Sequence, residues 1–190
     1  GEGAPNSLRG SLPQGYDYDG CDTGALKLMT VKNGRIVLPS GMGYRMLVLP
    51  SDKTMSPTVL GTIKALVDAG ATVVGPKPER SPSLSGYPVC DAEVKRLADE
   101  VWGKGVLDKA PVDVLAAMNV KPDFACTNKS TRLNYIHRTI NGAEVYFVAS
   151  PKTSGDEAAC TFRVSGRMPE LWHPDTGVME PAPVYTEQDG

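Results

Sequence analysis

The stretch YRMLVLPSDKTMSPTVLGTIKALVDAGATVVGPKPERSPSLSGYP, Tyr44–Pro88, lays out one βαβ unit. Arg45–Leu49 is a short apolar strand that Pro50 ends, and SDKTM forms the loop after it. Ser56 stands at a helix N-cap with Pro57 at the first helical position, where a missing N–H costs nothing because the first amides of a helix have no intrahelical partner. Val59, Leu60, Ile63, Leu66 and Val67 follow at i, i+1, i+4, i+7 and i+8, a single apolar face. Gly70 suits the left-handed conformation that closes a helix. Ala71–Val74 is a continuous apolar run, the pattern of a strand covered on both faces, as in parallel sheets. The loop GPKPERSPSLSGYP completes the unit.

Working outward, Asp91 can cap a second helix whose buried stripe is Val94, Leu97, Ala98 and Val101. A short strand follows at Val106, then a third short helix from Pro111 that buries Val112, Leu115 and Met118. The alternation of strand and helix is that of an open α/β sheet. Upstream, residues 1–24 are rich in Gly, Pro, Asp and Tyr without periodicity and read as an extended lead-in. In LKLMTVKNGRIVLPSG two apolar-alternating runs flank Asn33-Gly34, the preferred pair for a type I′ hairpin turn, in which both central residues take positive φ. After Pro122 the pattern changes. LNYIHRTINGAEVYFVAS is a second hairpin around Asn141-Gly142, and ACTFRVSG and PELWHPDTG add short antiparallel strands. A domain boundary is expected near Cys126–Leu133. About sixty residues then remain, fewer than the ~100 of a complete β-sandwich, so the chain is expected to stop partway through a domain. The expected organisation is a lead-in and hairpin over 1–43 packing on an α/β domain over 44–126, then a partial β-sandwich over 133–190.

Composition removes several function classes. A net charge of −2 supplies no basic face for phosphates, so nucleic acid is not an expected partner. No apolar run approaches the ~20 residues of a membrane span. The start GEGAPNSLRG is neither an initiator Met nor a signal peptide, so a processed or excised chain is expected. Cys21, Cys90, Cys126 and Cys160 are scattered, with no CxxC and no His at ligand spacing. That speaks against zinc, and four cysteines in a chain this long are no disulfide scaffold; buried or half-buried thiols are the favoured reading.

Cys90 precedes a helix, whose N-terminus favours thiolate. A nucleophile elbow needs flanking glycines, and Val89 and Asp91 stand there instead, so Cys90 reads as a small apolar residue. Asp17, Asp19 and Asp22 in YDYDGCD resemble the start of a calcium loop, but Cys21 takes a required ligand position and no Glu closes it. Tyr16 and Tyr18 there could instead stack on sugar rings. Glycosidase chemistry needs two carboxylates ~5–10 Å apart, and no two of the eight glutamates considered, among them Glu93, Glu100 and Glu144, have a spacing that forces such a pair. His137 and His173 have no sequence-local partners for a Ser/His/Asp arrangement. The loop GPKPERSPS sits where open α/β sheets bind ligands, yet lacks the glycine spacing of a phosphate loop. Trp102 and Trp172 are candidate sugar platforms, though packing is the favoured role.

Taken together, GYDYDGCD, VKNGRIVLPSGMGYRMLVLP, TMSPTVLGTIKALVDAGATVVGPKPERSPSLSGYP, CDAEVKRLADEVWGKG, YIHR, EVYFVAS and ELWHPDTG resemble the central-to-C-terminal part of family 106 glycoside hydrolases of the α-L-rhamnosidase type. The likeness runs from about Leu12 to Gly177. It implies a flavodoxin-like α/β domain (amidotransferase-like, or similar to the trimerisation domain of some β-galactosidases) with helices on both faces, followed by an incomplete antiparallel β-sandwich. It further implies an upstream catalytic barrel in a longer parent that hydrolyses α-rhamnosides in plant-type glycans, in a periplasmic or secreted location. No position here matches a catalytic motif, so no catalytic residue, metal ligand or cofactor is assigned. Tyr16, Tyr18, His137 and Arg138 are the candidate substrate-binding residues. The expected role is a non-catalytic accessory domain; a carbohydrate-binding module and a stand-alone flavodoxin- or amidotransferase-like enzyme are the alternatives. Unpaired sheet edges around Glu144–Ser150 or Ala159–Ser165 would favour self-association.

Overall fold

The computed structural model describes residues 12–127, 133–155 and 157–188. Residues 1–11 of the expected lead-in and 128–132 of the expected boundary lie outside the described residues. The chain forms two compact units: Tyr18–Val120 in one, and Gln14–Asp17 with the chain from Lys121 onward in the other.

The first unit opens with α1 (Thr23–Leu28), which departs from the expected extended lead-in. The apolar alternation of Leu26 and Leu28 reads as strand, but Asp22 stops the lead-in by accepting the Ala25 N–H at 2.7 Å, an N-cap that turns the next residues helical and sends Leu26 into the core. An antiparallel meander follows, β1 (Thr30–Lys32), β2 (Arg35–Val37) and β3 (Gly43–Tyr44), with Asn33 and Gly34 at φ 52° and 72° as a type I′ turn requires.

Next comes the βαβαβ run: β4 (Leu47–Val48), α2 (Pro57–Asp68), β5 (Val73–Val74), α3 (Val89–Trp102), β6 (Val106–Leu107) and α4 (Pro111–Ala117). The strands are parallel in the order β4-β5-β6. Ser56 caps α2 through the Val59 N–H, and Gly70 follows the helix at φ 91°. Both crossovers step in the same direction, so right-handed connections put α2 and α3 on one face of the sheet, and the two helices do pack on each other. Leu60, Ile63, Val73, Val74, Val94 and Val101 are sealed from solvent. Burial of each such side chain contributes about 1.5–3 kcal/mol. Leu26 and Ile36 join Ile63, Val73 and Val101 in one core cluster from α1 and β2, and Leu60 and Val94 pack in a second with Leu97 and Ala98.

Two helix details correct the expectations. Asp91 does not cap α3, which begins at Val89; it sits in the first turn and its carboxylate accepts the Ser81 N–H of the preceding loop at 2.9 Å. In α4 the i, i+3, i+4 face starting at Pro111 selects Val114 and Leu115 for burial, which leaves Val112 exposed; Met118 follows on that face at i+7, but the helix ends at Ala117 and Met118 is exposed as its C-cap.

The second unit is built from β7 (Phe124–Cys126), β8 (Asn134–Ile140), β9 (Ala143–Ala149), β10 (Cys160–Phe162), β11 (Glu170–Trp172) and β12 (Met179–Pro181). They form the antiparallel pairs β7-β10, β8-β9 and β11-β12. Asn141 and Gly142 turn the β8-β9 hairpin at φ 51° and 81°. Among the described residues β9 has only β8 as a ladder partner and β10 only β7. The architecture is thus mixed α/β with small sheets.

Candidate functional site

The most organised polar cluster lies in the second unit, around Asp123. Its backbone is pinned on both sides: the N–H donates to Gly15 O at 2.7 Å, and the carbonyl accepts the Arg163 N–H at 3.0 Å. Gly15 has φ +81°, and a Cβ there would stand 2.2 Å from the carbonyl oxygen of Phe124, so only glycine fits. These bonds aim the Asp123 carboxylate inward, where its side chain is 5% exposed. Such burial is tolerable only with donors around it. Tyr146 Oη donates to Oδ1 at 3.1 Å, Arg163 Nη2 donates to Oδ1 at 3.2 Å, and His137 Nδ1 lies 2.9 Å from Oδ2.

The β8-β9 register supplies the other half. Thr139 faces Glu144 and His137 faces Tyr146 across the ladder, so His137 and Glu144 are diagonal neighbours on one face. Glu144 Oε2 takes the Thr139 hydroxyl at 2.8 Å and sits 2.8 Å from His137 Nε2. Each imidazole nitrogen therefore meets a carboxylate oxygen. Ionised carboxylates only accept, and a neutral imidazole has one N–H, so both bonds form when one further proton resides in the triad. The Tyr146 ring stacks on His137 with centroids 3.9 Å apart and 13° between planes.

The electrostatics follow. The Thr139 hydroxyl, then His137, hold the Glu144 carboxyl below its ordinary value. Burial, then the charge of Asp123, pushes the Tyr146 hydroxyl upward. Burial, with Asp123 and Asp17, pushes Tyr135 up to about 12. Among the described residues the buried Tyr135 hydroxyl has no hydrogen-bond partner. Phe124, Tyr135, Tyr146 and Phe162 form the aromatic packing around the network, with centroid separations of 4.9–5.4 Å.

The sequence-predicted residues do not converge. His137 enters this network. Arg138, next along the strand, points to the opposite, exposed face and donates to the carbonyl of His137 at 2.7 Å. Tyr16 is half-buried in the second unit, whereas Tyr18 belongs to the first unit and is exposed. Asp22 is the α1 cap, and Asp19 accepts the Tyr44 hydroxyl at 2.8 Å. Among the described residues no group of three or more His, Cys, Asp or Glu could hold a metal ion. No helix there is long and apolar enough to cross a membrane. Trp102 packs in the first unit and its Nε1 donates to Gly75 O at 3.0 Å. His173 pairs with Glu180 at 3.0 Å on the surface.

Beyond the C-terminal ends of β4-β6, where α/β sheets place ligands, lies an open groove of about 380 Å³. Lys53 pairs with Glu79 at 2.8 Å there, and Lys77 pairs with Asp99. The groove is lined by charges that largely satisfy one another. Asp123 and Glu144 are the residues sequence reasoning missed. For Glu144 a signal existed, because the two-residue turn at Asn141-Gly142 fixes the register that brings it to His137.

Residues 5–187 match the family model described as alpha-L-rhamnosidase, glycoside hydrolase family 106, and the chain belongs to that family. A putative beta-glucuronidase of Formosa agariphila is 40% identical over 196 aligned positions, which take in 100% of this chain and 17% of that protein. The solved rhamnosidase from Novosphingobium sp. PP1Y superposes with a TM-score of 0.79 at 33% identity, over 91% of this chain and 18% of that one. The chain thus spans less than a fifth of the length of either relative.

Proposed function

We propose that this chain is a non-catalytic accessory region of a family 106 glycoside hydrolase, one whose parent acts on α-rhamnosides and works in the periplasm or outside the cell. The observation that carries the reading is the Asp123–His137–Glu144 triad. Its two carboxylates are held on opposite sides of one imidazole, which fills the space a sugar ring and a nucleophile would need. Asp123 is also sealed from solvent and saturated with donors, as suits a strut and not an acid that meets substrate. The parallel β4-β5-β6 core with its packed crossover helices supports a flavodoxin-like brace, and the two-stranded ladders of the second unit support part of a β-sandwich. Tyr16, Tyr18, His137 and Arg138 are then available only as contributors to a substrate site completed elsewhere, with the catalytic barrel of the longer polypeptide as the partner. Incubation of the purified chain with an aryl α-L-rhamnoside tests this: release of the aryl group at the buffer rate is expected, and turnover well above it would overturn the reading.

A carbohydrate-binding role has one observation in its favour, the 61% exposure of Trp172 on β11. Titration with rhamnose-containing oligosaccharides decides it, since quenching of Trp172 fluorescence that saturates at millimolar sugar is required.

A further inference from the structure

Cys126 on β7 and Cys160 on β10 are direct partners in the antiparallel ladder. The hydrogen bonds around them define which kind of pair they are. Thr127 N–H donates to Ala159 O at 3.1 Å, and Arg163 N–H donates to Asp123 O at 3.0 Å. Bonded and non-bonded pairs alternate along an antiparallel ladder. With 123/163 and 127/159 bonded, 125/161 is bonded as well, and 124/162 and 126/160 are the non-bonded pairs. Residues in such pairs have Cα atoms about 4.5 Å apart and side chains at their closest, within the roughly 4.4–6.8 Å that a disulfide bridges. Phe124 and Phe162, the neighbouring non-bonded pair, do meet, with ring centroids 5.4 Å apart.

We propose that Cys126 and Cys160 are a redox-active pair that closes into a cross-strand disulfide and clasps β7 to β10. Both are thiols here, and both are half-buried and so open to a small oxidant. The Cys160 thiol donates to the carbonyl of Ala158 at 3.9 Å. Cys21 is exposed and Cys90 is buried in α3, both in the other unit, so neither is a ladder partner of a second cysteine. The clasp sits at one end of the strand pair whose other end carries Asp123 and Arg163, so closing it stiffens the frame of the polar network. The oxidant is a small-molecule disulfide such as oxidised glutathione. One thiolate attacks it, forms a mixed disulfide and releases one glutathione thiolate. The second thiolate then attacks the protein sulfur of the mixed disulfide and releases the second. Two electrons pass to the oxidant, and the two thiol protons end on reduced glutathione. Burial, then the neighbouring Cys126, raises the Cys160 thiol, so closure is slow at neutral pH and accelerates as pH rises.

The test is peptide mapping of the native protein after exposure to oxidised glutathione, with alkylation of remaining thiols and digestion without reductant. The expected product is a single Cys126–Cys160 cross-linked peptide, two hydrogens lighter than its parts, with Cys21 and Cys90 alkylated. The folded-to-unfolded ratio should rise on the order of a hundredfold over the reduced protein, and Cys126→Ser should show neither cross-link nor rise. If Cys126→Ser fails to fold, reduced against oxidised wild type supplies the comparison. Recovery of Cys126 and Cys160 separately alkylated or glutathionylated, or linked to other cysteines or between chains, overturns the proposal.

Discussion

The two units hold together by different means. In Tyr18–Val120, α2, α3 and the parallel strands exclude water around Leu60, Ile63, Val73, Val74, Val94 and Val101. From Lys121 onward, the buried residues among those described are Phe124 and a charged one, Asp123. Ile136, Phe147, Leu171, Trp172 and Met179 of that unit all keep large exposed areas. One unit therefore rests on apolar burial, which is non-directional and tolerant of detail. The other rests on directional bonds to a buried charge, which fail when one partner is lost.

The sharpest way to break this contrast is Asp123→Ala. It strands the donors of Tyr146, Arg163 and His137 and should cost about 3–5 kcal/mol in the second unit, read by urea unfolding of Tyr146-side aromatic signals, with the first unit's transition unmoved. Leu60→Ala is the mirror experiment: a cavity in the dry core should cost about 3 kcal/mol in the first unit's transition alone. A smaller loss, roughly 2 kcal/mol, is expected for Gly15→Ala, because the new Cβ collides with the Phe124 carbonyl at a left-handed φ; Asn at that position should not rescue it, since the collision remains.

Acid sharpens the comparison further. The folded-state Glu144 carboxyl is held below its ordinary value by Thr139 and His137, so its stabilisation is present above the unfolded value, about 4.3, and is lost as pH falls through the folded value. Denaturation midpoints of the second unit should drop across that window, and Glu144→Gln should flatten the drop. The smallest effect belongs to Trp172→Ala, within about 0.5 kcal/mol, because its ring is largely in solvent.

Much of the first unit was legible because its determinants are local. Ser56-Pro57 and Gly70 bracket α2, and Asn33-Gly34 sets its hairpin by the φ values only such residues accept easily, as Asn141-Gly142 does in the second unit. Helix α1 was not, because Leu26 and Leu28 alternate as a strand would and only the Asp22 cap decides otherwise. His137 was picked out for its chemistry, yet its meaning depends on Asp123, fourteen residues away and oriented by Gly15 and Arg163. No periodicity announces a buried carboxylate whose donors come from three separate segments. Arg138 shows the converse limit: neighbours in sequence on a strand face opposite ways.

Amide hydrogen exchange on Asp123→Asn bears most directly on the claim that this carboxylate is a strut. Asparagine keeps the shape and removes the charge that the Arg163 guanidinium opposes. The account predicts protection lost across β7, β8, β9 and β10 while Pro57–Asp68 and Val89–Trp102 exchange as in the parent. Unchanged or increased protection in those strands, the response of a carboxylate kept for chemistry at the expense of stability, would contradict it.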